Sequence, residues 1–190
     1  MVVDLRKEKG DTHAPIHING EVVDRVTGFK FLGIHISEDL FRTTNSSSLV
    51  KKAHQRLFFL RALRKNHLSL DILVNFYCCT IESILTGCIT VWYGNCTVSA
   101  RKALQRVVKT AQRIVGVPLP KIEDIYRKRC LSRARKIIKD FSHPANRLFA
   151  LLPSGRRYRS LQTKTSRFRN SFFLTAVSLL KSASTRSHTH

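Results

Sequence analysis

Two hydrophobic periodicities divide the chain, and one gives way to the other near residue 49. Upstream the pattern is strand-like. Ile16–Gly20 and Glu21–Asp24 flank an Asn19-Gly20 pair, the dipeptide that favours a type I′ hairpin turn. Phe29–Ile36 alternates apolar and polar positions and reads as one strand with a buried face, with Gly33 at a bulge or close backbone approach. Met1–Arg6 is a further short apolar run, broken by the polar KEKGDT. Asn45-Ser-Ser-Ser48 marks the transition and offers an N-cap for the helix after it.

From Leu49 the spacing becomes helical. Leu49, Ala53, Leu57, Leu60, Leu63 and Arg64 trace one stripe, with Lys51, Lys52, Arg56, Arg61 and Lys65 largely off it. Leu68–Trp92 is the most apolar stretch and reads as one helix, with Ser69 at its start and Gly94-Asn95 at its end. A third helix spans Val98–Val115. Its buried face is Ala103, Leu104, Val107, Val108, Ala111, Ile114 and Val115, and its exposed basic face is Arg101, Lys102, Arg106, Lys109 and Arg113. Gly116 and the prolines after it stop this helix. A fourth runs from Ile122 to Asp140 and ends before His143-Pro144. Beyond it come an apolar patch at Leu148–Pro153, a turn at Ser154–Arg159, a basic-aromatic run at Arg167–Phe173 and one or two helical turns at Ala176–Lys181. Ser182–His190 reads as disordered. The fold class is therefore α+β, mostly α: a short N-terminal β-hairpin region, a helical bundle and a basic, partly irregular tail. The divisions expected are 1–48, 49–116 and 117–190.

Charge sharpens this division. The formal net charge is +22 over 190 residues. Residues 1–50 carry six basic and seven acidic side chains, whereas residues 127–190 carry sixteen basic and one acidic. With 43% hydrophobic residues the chain has material for a core, so pervasive disorder is excluded. A folded region this basic repels itself unless a polyanion neutralises it, and nucleic acid is the commonest such partner.

Five cysteines, two of them adjacent, do not form a secreted disulfide framework and read as buried free thiols in a reducing compartment. Early charges rule out a secretory leader, which points to a nuclear or cytoplasmic location. Asp71, Asn75 and Glu82 interrupt the apolar stretch. A central acidic group costs about 2.5–3.5 kcal/mol in a membrane, so a buried core helix is expected there and no membrane partner.

Catalytic signatures are absent. No Asp-Asp pair stands ready for two-metal chemistry, no His-x-Asp opens an iron-binding triad, and no GxG loop or Gly-x-Ser-x-Gly elbow occurs. Glu38-Asp39 and Glu123-Asp124 read as solvated or helix-N-terminal acids. The chain is expected to be no enzyme on its own, without cofactor, metal or small-molecule substrate.

Binding of RNA or DNA without sequence preference is what remains. Lys51, Lys52, Arg56, Arg61, Arg101, Lys102, Arg106, Lys109 and Arg113 would meet phosphates from helix faces. In the tail, Arg156, Arg157 and Arg159 surround Tyr158, and Arg167 and Arg169 surround Phe168. That arrangement suits arginines on phosphates with the aromatics stacked on bases. For 127–139 a calmodulin-type or membrane-surface amphipathic helix is the competing reading.

Several runs also resemble a known family. MVVDLRKEK and INGEVVDRVTGFKFLGIHISEDL resemble the end of the reverse-transcriptase domain of vertebrate non-LTR (LINE-type) retrotransposons. SLVKKAHQRLFFLRALRK, LDILVNFYCCTIESILTGCITVWYGNCT, RKALQRVVKTAQRIVGVPLPKIEDIYRKRC and HPANRLFALLPSGRRYRSL resemble the thumb and C-terminal region of the same elements. The resemblance implies a fragment holding template and primer, without the catalytic acids and with Met1 an internal methionine of the parent. Phe31, Leu32 and Gly33 would be primer-grip-like, and Lys51, Lys52, Arg56 and Arg61 would contact template and primer. Phe41-Arg42-Thr43-Thr44 departs from the Trp usual in these elements. The same kind of segment is also similar to the N-terminal region of the alkylated DNA repair protein AlkB homologue 8. That likeness implies association with dioxygenase and methyltransferase activity. A third expectation is a translated pseudogene with no function.

Overall fold

A computed structural model describes residues 15–23, 26, 28–31, 34–37, 43–153, 155, 158–160 and 162–186. The N-terminal part carries two separate antiparallel hairpins. In the first, β1 (His17–Ile18) pairs with β2 (Glu21–Val22). Asn19 and Gly20 take φ of 53° and 83°, the two left-handed positions a type I′ turn requires. Ile18 and Val22 stay exposed, so this hairpin is held by its turn and ladder rather than by a core.

The Phe29–Ile36 run does not form the single strand expected of its alternation. It folds back on itself: β3 (Gly28–Phe31) pairs with β4 (Ile34–Ser37), Phe31 opposite Ile34. A glycine inside an alternating run signals a bulge or a tight turn equally well, and only the pairing partner decides which. Leu32 and Gly33 lie outside the described residues.

The helical part begins earlier than its hydrophobic stripe. Helix α1 spans Thr43–Lys65, so Asn45 and Ser46 are not caps but buried residues of its first turns, 1% and 4% exposed. They are covered because this end of α1 abuts the later chain: Asn45 and Leu49 share a groove with Ser83, Ile84 and Trp92. Ala53, Leu57 and Leu60 continue the buried face. Arg64, expected on that stripe, is exposed.

The apolar stretch is broken where one continuous helix was expected. It runs as α2 (Leu70–Phe76), a π-helical segment (Tyr77–Glu82), α3 (Ser83–Thr86), α4 (Ile89–Trp92) and a 3₁₀ turn (Tyr93–Asn95). Ser69 occupies the N-cap position of α2 but makes no side-chain cap bond. Thr80, Ser83 and Thr86 each donate a hydroxyl hydrogen bond to the carbonyl four residues back, at 2.6, 2.5 and 2.7 Å, which competes with the regular ladder. The helix then stops at Gly87 and Cys88, the latter at φ 47°. Side chains satisfy the carbonyls left at this break. Trp92 Nε1 donates to Gly87 O at 2.8 Å, and Arg129 Nη1 to Thr86 O at 2.5 Å.

This stretch is also less buried than expected. Leu70–Asn95 is long and apolar enough to cross a membrane by length and composition, yet only 33% of its most apolar window is buried. Leu73, Tyr77, Ile81 and Leu85 face inward, whereas Leu70, Ile72, Cys78 and Cys79 are exposed. The cysteines are free, but Cys78, Cys79 and Cys88 are exposed, Cys96 is half-buried and only Cys130 is buried. A helix packed on one side turns successive residues 100° apart, so neighbouring thiols cannot all point inward.

Helix α5 spans Val98–Val115, as its periodicity predicts. Thr97 Oγ1 accepts from Ala100 N at 3.2 Å, and Gly116 at φ 91° closes the far end. Helix α6 (Ile122–Lys139) starts against α5: Gln105 and Gln112 accept from the backbone of Ile122 and Leu119. Its far end is capped by Asn146, whose Nδ2 donates to the carbonyls of Ile137, Ile138 and Asp140 at 2.9, 3.2 and 3.1 Å. A 3₁₀ turn (Asn146–Phe149), α7 (Ser166–Arg169) and α8 (Phe172–Arg186) follow.

Helix α8 is longer than the one or two turns expected and runs to Arg186. Packing decides this, since Ala176 and Val177 are buried against α6. The core has two parts. The larger unites α1 to α5 with the first half of α6. The smaller joins Ala134 and Ile137 of α6 to Phe149, Ala176 and Val177. The chain is thus α+β and mostly α, and among the described residues its strands lie in the N-terminal hairpins.

Candidate nucleic-acid interface

Helices α1 and α5 pack together along their apolar faces, and a basic groove lies beside the seam. On α5 the residues Lys102, Arg106, Lys109 and Arg113 recur at i, i+4, i+7 and i+11, which sets them in one exposed row opposite Leu104, Val107, Val108 and Ala111. Arg106, Lys109 and Arg113 line a cavity of about 590 Å³ with Ala103, Thr110, and Val50 and His54 of α1. Among the described residues no carboxylate lines this groove. His54, which the sequence did not single out, adds a ring nitrogen to the row of cations.

The four cations expected on α1 are all exposed but do not share one face. Lys52 and Arg56 border the groove by the Gly87–Cys88 break, about 510 Å³ in volume. Lys51 and Arg61 line neither groove, and between them in the chain Phe58 and Phe59 are 66% and 48% exposed and meet edge-on at 5.7 Å. These two phenylalanines were missed by the sequence reading. The signal was there: consecutive aromatics on a helix point 100° apart and cannot both sit on one narrow buried stripe. Exposed rings among cations suit base stacking.

Arg101 departs from the exposed basic face expected for it. It is half-buried, donates through Nη2 to Gly94 O at 2.8 Å, and lies over the Tyr93 ring at 5.0 Å. It staples α5 to the 3₁₀ turn before it. Tyr158 is likewise committed. Its ring meets Phe149 edge-on at 6.5 Å inside the smaller core and Leu151 pairs with it across the turn, so it does not stand clear for stacking. Arg159 is exposed beside it. Phe168 is 44% exposed and Arg169 is exposed at the end of α7. Arg156, Arg157, Leu32 and Gly33 lie outside the described residues; Phe31 and Arg167 are described through their backbone only, in β3 and α7.

Helix α6 adds a basic surface of its own. Lys128, Arg135, Lys136 and Lys139 are exposed. Its apolar face, Ile122, Tyr126, Cys130, Ala134 and Ile137, is buried within the chain, so 127–139 does not offer a membrane or a calmodulin-type partner the open apolar face those modes need. Arg133 is held by Thr90 Oγ1 at 3.1 Å and over the Phe172 ring at 5.3 Å, and Arg127 pairs with Glu123 at 3.0 Å.

Burial pushes the Cys78 and Cys130 thiols above their ordinary range, which disfavours the nucleophilic thiolate. Burial also raises Tyr77 and Tyr93, and it moves Tyr126 to about 12. Among the described residues no three His, Cys, Asp or Glu side chains converge to hold a metal ion.

Residues 42–83, covering α1, α2 and the π segment, match the family described as alkylated DNA repair protein alkB homolog 8, N-terminal. That segment is under a quarter of the chain. No curated protein and no solved structure matches. Of the two resemblances read from the sequence, the family match supports the second, and the likeness to reverse transcriptase rests on the sequence runs alone. The described residues do not fit an iron site of the dioxygenase kind, because no such cluster exists among them.

Proposed function

We propose that this chain is a non-catalytic nucleic-acid-binding module that grips RNA or DNA by its phosphates, without sequence preference, along the α1–α5 groove. The observation that carries the reading is the row Lys102, Arg106, Lys109 and Arg113, of which the last three line a groove with His54 that no carboxylate among the described residues enters. Fixed on a packed helix, these cations meet successive phosphates with little loss of backbone freedom and release condensed counterions as they do so. Phe58 and Phe59 supply stacking surface on the same helix as Lys51 and Arg61.

The match over 42–83 favours an accessory role of the kind held by the N-terminal region of an alkylation-repair protein. Any oxygenase or methyltransferase chemistry then belongs to other polypeptide, and this part contributes grip on the nucleic acid. The reverse-transcriptase reading places template and primer on the same helices, so the two share a first test. That test is fluorescence anisotropy of labelled single strands from about 50 to about 300 mM salt, a range across which phosphate-driven binding falls steeply. Affinity indifferent to salt overturns the proposal.

A further inference from the structure

We infer that a second cavity, on the opposite flank of α5, is a binding site for a phosphate-bearing ligand. It has a volume of about 650 Å³, the size of an ordinary small-ligand pocket. Its walls come from the start of α5, the first turns of α6 and the C-terminal segment. Arg101, Arg127 and Arg169 supply guanidinium groups, and Ser160, Thr163 and Ser178 supply hydroxyls. One carboxylate, Glu123, lines it and pairs with Arg127 through side chains that are about half exposed. The charges of Arg101 and Arg169 meet no carboxylate among the described residues lining the cavity.

Arg101 is held in place in the cavity wall, since its Nη2 donates to the Gly94 carbonyl at 2.8 Å. A doubly charged group with three exposed oxygens matches guanidiniums and hydroxyls that approach from different elements. Two sources present this chemistry, a free polyphosphate compound and the 5′-phosphate end of a strand. The site does not depend on the α1–α5 groove, since it lies on other residues.

The test uses the full chain with inorganic tripolyphosphate in a calorimeter, with citrate as a polyanion of different chemistry. It also compares single strands ending in 5′-phosphate or 5′-hydroxyl. Tripolyphosphate should bind more tightly than citrate. Arg169→Gln, a change at an exposed side chain, should weaken it roughly tenfold, as expected for loss of one charge-assisted contact. Lys65→Gln, at an exposed side chain that lines neither cavity, should leave it unchanged. Preference for the 5′-phosphate strand, lost in Arg169→Gln, assigns the strand end as ligand; tripolyphosphate binding without such preference assigns a free polyphosphate. Citrate binding as tightly as tripolyphosphate, or equal weakening by the two substitutions, overturns the site. Strand binding that fails while tripolyphosphate still binds sinks the groove and leaves this pocket standing.

Discussion

Replacing Arg106, Lys109 and Arg113 together by Gln tests the groove most directly. All three are surface residues opposite the buried face of α5, and all three line the same cavity. Each phosphate contact adds about 0.7 to the salt slope of log K on a single strand and about 0.9 on duplex DNA. Losing three should flatten the slope by roughly 2 to 2.7 units and weaken binding at about 0.1 M salt by roughly 100- to 500-fold. Stability should hold or rise, because the change removes three like charges from a chain of net charge +22 and touches no core side chain. Anisotropy titrations at several salt concentrations measure the slope, and circular dichroism melting checks the fold. A slope unchanged in a folded triple variant would refute the reasoning, because the cations nearest one another would then touch no phosphate. Arg64→Gln with Lys65→Gln serves as a comparison, since both are exposed at the end of α1 and neither lines the groove.

Four further outcomes test the packing. Tyr77 is buried and its hydroxyl lacks a partner, so Tyr77→Phe should raise stability by about 1 kcal/mol in a denaturant titration; a loss would mean the hydroxyl is satisfied. A methyl group at Gly94 would overlap the Asn170 carbonyl oxygen and lie 2.9 Å from Tyr126 Oη, so Gly94→Ala should cost about 1–3 kcal/mol and expose 166–186 to protease first. Asn146→Ala removes donors from three carbonyls at the end of α6 and should cost about 1–2 kcal/mol, read as a lower melting temperature. Burial raises the folded-state pKa of Tyr126 from about 10 to about 12, so its contribution is complete below pH 10 and is lost as the pH rises towards 12. Alkaline titration followed by tyrosinate absorbance should therefore show delayed ionisation that coincides with loss of helix, whereas tyrosines ionising near 10 in a folded chain would contradict the burial.

Local signals decided a good part of this protein by themselves. The Asn19-Gly20 turn, the limits of α5 and its closure at Gly116 were legible because each rests on neighbouring residues: a dipeptide that tolerates positive φ, an apolar stripe of fixed period, a glycine where the chain must reverse. The basic row on α5 was legible for the same reason, since an amphipathic helix commits its polar face once its apolar face is known. Arg101 was the exception. It occupies the edge of that face, and whether an edge cation reaches water or folds back onto Tyr93 depends on what stands beside it.

Tertiary structure decided the rest. Alternation cannot say whether Phe29–Ile36 is one strand or a hairpin, because both leave the same pattern and differ only in pairing partner. Apolar content cannot say that Leu68–Trp92 breaks at Gly87–Cys88, because the break is tolerated only where Trp92 and Arg129 satisfy the freed carbonyls. Nor can it say which cysteines are covered. The pairing of His54 with the α5 row, and the meeting of Arg101, Arg127 and Arg169 around one cavity, join residues far apart in the chain. The sequence by itself determined that this protein carries a helical core beneath an excess of positive charge. Only the packing of helix on helix decided where that charge gathers, because the distance between side chains on different elements is set by the apolar faces that bring those elements together.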